Sequence, residues 1–148
     1  MSLLAGNWLG IGWPREYGGQ GRGAIDQWLF LEEMAAENLP TGALTLSSAG
    51  PTLMRVGSEQ LKAEYLPKIL SGEIEFAIGY TEPNAGSDLA SLQTRAVREG
   101  DYYVINGHKW FTSNAIGSSF AIAMVVTDPQ AEPHRRASML IVPTNAPG

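Results

Sequence analysis

Residues 76–88 read FAIGYTEPNAGSD. Before them the hydrophobic period is that of helices, and after them it is that of strands. An apolar, β-leaning run from Phe76 to Tyr80 stops abruptly in Thr81-Glu82-Pro83-Asn84-Ala85-Gly86-Ser87-Asp88. Pro83 removes a backbone donor and fixes φ, while Asn84 and Gly86 admit conformations that other residues avoid. A strand exit of this composition sets amide groups beside the hydroxyls of Thr81 and Ser87. That array suits a phosphate or the polar edge of a heterocycle, and an ordinary surface turn has the same composition.

A second stretch, NGHKWFTSN at 106–114, follows a strand-like run and sets two aromatics directly before two hydroxyls. Its Asn106-Gly107 pair predicts a hairpin turn, with a returning strand over 108–113. Such a strand offers a flat apolar surface with hydrogen-bonding groups at its rim, as an extended heteroaromatic cofactor requires.

Outward from these two stretches, residues 1–75 predict a helical domain and 76–148 a β domain. Residues 5–23 are dense in glycine, which excludes a stable helix and predicts a packed loop with a turn at Gly18-Gly19. From Ala24 to Leu39, Ile25, Trp28, Leu29, Ala35, Ala36 and Leu39 recur at the helical period. Glu32, Glu33 and Glu37 fall on a solvated face, and Leu39-Pro40 predicts the end. The small-sided run from Thr41 to Gly57 predicts a tightly packed helix, kinked or split at Gly50-Pro51. Ser58 is a candidate cap for the next helix, whose stripe is Leu61, Tyr65 and Ile69. Beyond Phe76 the strands predicted are Gln93–Arg98, Tyr102–Ile105, 108–113, Phe120–Val126 and Ala137–Val142. Short strands with local turns predict an antiparallel meander curling into a barrel or sandwich, and so an α+β protein of two domains.

Composition narrows the function. The chain has 148 residues, 44% of them hydrophobic, enough for a core. It has no cysteine, which excludes a disulfide scaffold and a thiolate metal site. Net charge is −5 and no basic stripe exists, so nucleic acid is a poor partner. Apolar runs are too short to span a membrane, and no signal peptide is expected at the start. His108 and His134 are too isolated to bind a metal; Arg135-Arg136 is expected to be a solvated pair, with a coenzyme A phosphate as its alternative partner. There is no G-x-G-x-x-G and no βαβ unit, so a nucleotide cofactor here binds without a Rossmann fold.

At these residues the chain resembles the acyl-CoA dehydrogenase family of flavoproteins. YTEPNAGSD (80–88) is similar to the family's TEP-x-AGSD segment, and NGHKWFTSN (106–114) to its NG-x-K-x-W-x-[TS] segment. GWPREYGGQG (12–21) and VGSEQLKAEYLPKILSGE (56–73) resemble its G-x-P-x-x-x-GG and G-x-x-x-QK-x-x-x-LP-x-L-x-SGE stretches. The resemblance implies FAD as cofactor, an acyl-CoA as substrate and an electron-transfer flavoprotein or similar acceptor as partner. It also implies a homotetramer or homodimer, located in a bacterial cytoplasm in preference to a mitochondrial matrix. By resemblance, Thr81, with the backbone near Tyr80, meets the pyrimidine side of the flavin, and Ser113, with Thr112 beside it, meets N5. The amides of Gly86 and Ser87 meet a diphosphate, of the flavin or of coenzyme A, which makes Ser87 a candidate substrate contact as well. The family's stacking tryptophan aligns with Phe111, and Trp110 comes one residue earlier. Alignment through Lys109 favours Phe111, whereas the larger ring favours Trp110; alternation along a strand lets only one of them lie on the flavin, and Phe111 is the one expected there.

In the family a carboxylate removes the α-proton of the thioester as the β-hydrogen leaves as hydride to flavin N5, giving a trans-2-enoyl-CoA. The resemblance puts that base in a C-terminal helical domain of roughly 150 further residues. No Glu or Asp of this chain is therefore assigned as catalytic, and this portion alone is expected to be inactive. Glu82 is expected to anchor its turn through hydrogen bonds. The alternatives are an acyl-CoA oxidase, a flavin monooxygenase relative, and a non-catalytic DNA-binding relative.

Overall fold

The structure is a computed structural model that describes residues 6–39, 42 and 44–148. The proline expected to end the first helix, Pro40, lies outside the described residues, as do Thr41 and Ala43 of the small-sided run. The chain divides into two compact units, Met1–Glu75 and Phe76–Gly148.

The first unit opens with two short 3₁₀ turns, Trp8–Gly10 and Arg15–Tyr17, folded around the buried Trp13. Gly18 turns the chain at φ +85°, and Gly19 packs so closely that a Cβ there would lie 2.2 Å from the Trp13 carbonyl oxygen. Helix α1 spans Ala24–Ala36. It ends sooner than Leu39-Pro40 predicts, because Asn38 adopts φ +51°. The Asn38 and Leu39 amides then donate to the Ala35 and Met34 carbonyls, a Schellman closure that needs no proline. Met34 is its buried residue; Ile25, Trp28 and Leu29 are exposed, so the predicted apolar stripe is uncovered among the described residues.

A π-helical turn, Thr45–Ala49, leads directly into α2, Gly50–Val56. The Gly50 amide donates to Thr45, five residues back, and Pro51 has no amide to continue the series. The Trp13 indole supplies a donor instead, 3.1 Å from the Leu46 carbonyl. Here, then, the proline leaves a widened turn in place of a break. Helix α3 spans Glu59–Leu70, and the Ser58 hydroxyl accepts from the Leu61 amide at 3.3 Å. Ile11, Trp13, Leu53, Leu66 and Ile69 are buried in this unit.

The second unit is a sheet of β1 (Phe76–Gly79), β2 (Arg95–Glu99), β3 (Tyr102–Asn106), β4 (Phe120–Val126) and β5 (Ala137–Pro143). The pairing is mixed, not a pure antiparallel meander. β5 pairs antiparallel with β4 along its length, while β1 and β2 both pair parallel with β4. Phe76–Gly79 matches Phe120–Ala123, and Arg95 matches Val126. β1 and β2 therefore follow one another beside β4, and residues 80–94 form an excursion between them. The apolar run of β4 is buried or half-buried at every residue. β2 and β3 form a hairpin through Gly100-Asp101, with Glu99 opposite Tyr102 and Gly100 at φ +63°.

Two local expectations fail. Asn106-Gly107 is not a hairpin turn: neither residue has the positive φ that a type I′ turn demands. Gly107 is instead a close-packing point, where a Cβ would lie 2.3 Å from Thr94 Oγ1. Residues 108–113 form no regular strand; Ser113 alone makes an isolated bridge, to Ile78.

Candidate functional site

The excursion and the 109–113 stretch are brought face to face. The Ile78 amide donates to the Ser113 carbonyl at 3.1 Å, and the Trp110 amide to the Thr81 carbonyl at 2.8 Å. These bonds lie three residues apart on both stretches, whereas bonded pairs in an unbroken antiparallel ladder recur every two. One residue must therefore leave the alternation, and Phe111, at φ +51°, does so. Left-handed backbone is rare for an aromatic residue.

That turn changes the expected geometry of the rings. Trp110 and Phe111 do not point to opposite faces: their rings stack, with centroids 5.3 Å apart and planes 8° from parallel. His108 stacks on Trp110 in turn, at 6.2 Å and 11°. Trp110 is engaged by two rings and Phe111 by one, and Phe111 is 76% exposed against 48% for Trp110. Phe111 thus carries the larger free apolar surface.

Beside the rings, Thr81 and Thr112 are half-buried and Ser113 is exposed. The half-buried Tyr80 donates its phenol to Met139 Sδ at 3.2 Å, and burial raises that phenol above its ordinary value. Tyr80, Thr81, Phe111, Thr112 and Ser113 are therefore neighbours. Gly86 and Ser87 lie farther along the loop, exposed, and a Cβ on Gly86 would meet nothing within 4 Å. Neither Asn84 nor Gly86 uses left-handed backbone; reciprocal bonds between Glu82 and Ala85 (2.9 and 3.1 Å) close the turn.

Glu82 is the anchor of the site. Its side chain is 7% exposed, and it accepts from the Gln93 amide (2.7 Å), the Thr94 amide (3.0 Å) and Lys109 Nζ (2.8 Å). Burial pushes the carboxyl upward, but the Lys109 ammonium and the two amides outweigh it and hold the group at about 2. A carboxylate so stabilised and enclosed is a poor proton acceptor, in keeping with an anchoring role. Sequence reasoning missed Lys109, which also donates to the Tyr80 carbonyl at 2.9 Å. Nothing in the local pattern marks it: its acceptors lie 27 and 29 residues away.

Arg136 also departs from expectation. Arg135 is exposed, but Arg136 is half-buried and donates to the Ala90 and Leu92 carbonyls at 2.6 and 3.2 Å, tying the 127–136 connection to the loop.

An exposed aromatic ring, hydroxyl residues next to it along the chain and on the facing stretch, and an open glycine are the kinds of group that a flat heteroaromatic ligand with a polar rim requires. A helical unit followed by a mixed-sheet unit carrying this site defines an α+β protein of two consecutive domains. Residues 2–73 match the N-terminal domain and residues 77–148 the middle domain of acyl-CoA dehydrogenase. The chain belongs to the acyl-CoA dehydrogenase family. It is 51% identical over 140 residues to the acyl-CoA dehydrogenase FadE29 of Mycobacterium tuberculosis, covering 95% of this chain and 36% of FadE29. It is 37% identical over 147 residues to the mitochondrial isovaleryl-CoA dehydrogenase of Pongo abelii, covering 95% of this chain and 34% of that protein. Among solved structures, the steroid ACAD Tcur3481-Tcur3483 superposes with a TM-score of 0.93 at 53% identity, over 97% of this chain and 38% of that one. The ChsE4-ChsE5 complex from Mycobacterium tuberculosis gives 0.93 at 47%, over 99% and 38%. The chain thus spans little more than a third of the length of these relatives. Among the described residues, no helix is long and apolar enough to cross a membrane.

Proposed function

We propose that this chain is the N-terminal and middle portion of an FAD-dependent acyl-CoA dehydrogenase, which converts an acyl-CoA thioester to its trans-2-enoyl product. The observation that carries the reading is the facing of 78–81 with 110–113, which sets Phe111, Thr112 and Ser113 against Tyr80 and Thr81. These residues would hold the flavin: Phe111 by stacking on its ring, and Thr81, Thr112 and Ser113 through hydroxyls that donate to or accept from its edge. Gly86 and Ser87, open to solvent, would take a diphosphate of the flavin or of coenzyme A. Bound flavin supplies the hydride acceptor. Glu82, held by Lys109 and two amides, is not assigned as the base; this reading puts the base in a part of the protein beyond these two domains.

Two finer readings rest on the relatives. About half of the residues are shared with FadE29 and with the steroid ACAD, against 37% with isovaleryl-CoA dehydrogenase. That ranking favours a CoA thioester of a bulky, steroid-type acid. Both high-scoring structures pair two named chains, which favours assembly with a second related chain. An electron-transfer flavoprotein is the acceptor this reading assigns, and the bacterial relatives favour a bacterial cytoplasm. The test is anaerobic: the full-length protein, with any partner chain, should hold FAD and be bleached by a steroid-type acyl-CoA. A protein that holds no flavin, or whose flavin no acyl-CoA bleaches, contradicts the reading. Rapid reoxidation of the reduced protein by oxygen would point to an oxidase or monooxygenase instead.

A further inference from the structure

The two stretches facing each other at the site lack what normally fixes register. They share two backbone hydrogen bonds, and Phe111 breaks the alternation between them. A regular strand pair fixes its register by repeated bonds and a buried face; this pair has neither. What joins them besides is the Asn114 side-chain amide, which donates to the Phe76 carbonyl at 3.0 Å at one end, and at the other Lys109, 14% exposed, whose ammonium reaches Glu82 at 2.8 Å and the Tyr80 carbonyl at 2.9 Å. Glu82 in turn is held by the amides of Gln93 and Thr94, where the excursion returns to β2. One lysine thus ties together the start of the excursion, its end and the ring-bearing stretch. Burying a charge pair is seldom the best route to stability, and the best-attested use of one is to specify register.

We propose that Lys109 and Glu82 are positioning residues for the flavin: their ion pair sets the register in which 78–82 faces 109–113, and so which ring and which hydroxyls the cofactor meets. The proposal rests on the flavin reading above. Neither residue needs to touch the cofactor. Lys109 immediately precedes the stacked rings, and its second acceptor is the carbonyl of Tyr80, next to Thr81. Loss of the ammonium would remove the tie at the Glu82 end, leaving the Trp110 bond there with the Ile78 and Asn114 bonds farther along, and free the ring-bearing stretch to shift.

The test uses the full-length protein, with its partner chain if it has one, stripped of flavin and titrated with FAD. Flavin fluorescence reads affinity, and visible circular dichroism reads the asymmetry around the bound ring. Lys109→Met should remain folded by far-ultraviolet circular dichroism yet bind FAD at least tenfold more weakly, with an altered visible band. Lys109→Arg, which keeps the charge, should recover most of the affinity. A folded Lys109→Met with the parent's affinity and visible spectrum overturns the proposal, because a merely structural pair would lower the melting temperature and leave both readouts alone. If Lys109→Met does not fold, Glu82→Gln is read in the same way: a tenfold loss supports the proposal and an unchanged affinity overturns it. A parent that takes up no FAD at all overturns the flavin reading itself, and this proposal with it.

Discussion

Two antiparallel pairs in the sheet unit are built in opposite ways. β2 and β3 form a regular ladder of five matched residues closed by Gly100-Asp101, with Val97, Tyr102, Tyr103 and Val104 exposed on its surfaces. Residues 78–82 and 109–113 share two bonds, a left-handed aromatic and a buried ion pair. The ladder satisfies its own backbone, and its exposed side chains are not needed to hold it together. The irregular pair needs side chains to hold it, and in return it leaves a ring face and three hydroxyls unengaged by secondary structure. The proposed flavin site lies where the regular pattern was given up.

The contrast predicts very different sensitivities. Lys109→Met strands a buried carboxylate and should lower unfolding stability by about 3–5 kcal/mol in chemical denaturation. Arg98→Ala, in the ladder, removes only an exposed bond to the Gly100 carbonyl and should change it by about 0.5 kcal/mol or less. Comparable losses at the two positions would erase the distinction.

Acid should strike the same place. Glu82 is held at about 2 against an ordinary 4.5, so the folded state favours its ionised form. The resulting stability is fully present above 4.5 and is lost as pH falls from there towards 2, on the order of 3 kcal/mol in all. Denaturation measured across that window should show the fall in the parent, and Glu82→Gln should flatten it.

The glycines sharpen the comparison further. Gly107→Ala pushes a methyl against Thr94 backbone and side chain, at 2.3 to 2.6 Å, and should cost about 2 kcal/mol. Gly100→Ala meets nothing within 4 Å and bears only the left-handed backbone, about 1 kcal/mol. Thermal midpoints of the two variants would rank them; the reverse order would mean that close packing on Thr94 is not what requires glycine at 107.

How much of this was readable beforehand follows the same division. The helices, the β2–β3 turn, the Ser58 cap and the apolar run of β4 were legible because local period and turn chemistry determine them. The parallel pairing of β1 and β2 with β4 was not, since it depends on contacts between residues as far apart as Phe76 and Phe120 or Arg95 and Val126, and nothing in a short strand records its neighbour. Asn106-Gly107 misled because close packing on Thr94, rather than left-handed backbone, is why glycine stands there. The motif residues Tyr80, Thr81, Phe111, Thr112 and Ser113 pointed to one neighbourhood, but strand alternation gave the wrong relation between Trp110 and Phe111. A single left-handed residue was enough to reverse it, and Phe has no propensity that announces one. Glu82 was legible as a turn anchor; its lysine partner, 27 residues away, was not.

A flavin titration of the full-length protein carrying Phe111→Ala or Trp110→Ala tests the proposed site most directly. Phe111 presents the larger free ring, so Phe111→Ala should weaken FAD binding about tenfold or more, with Trp110→Ala the milder of the two. If both variants bind FAD as tightly as the parent, the 109–113 stretch does not hold the flavin, and the site described here is not the cofactor's.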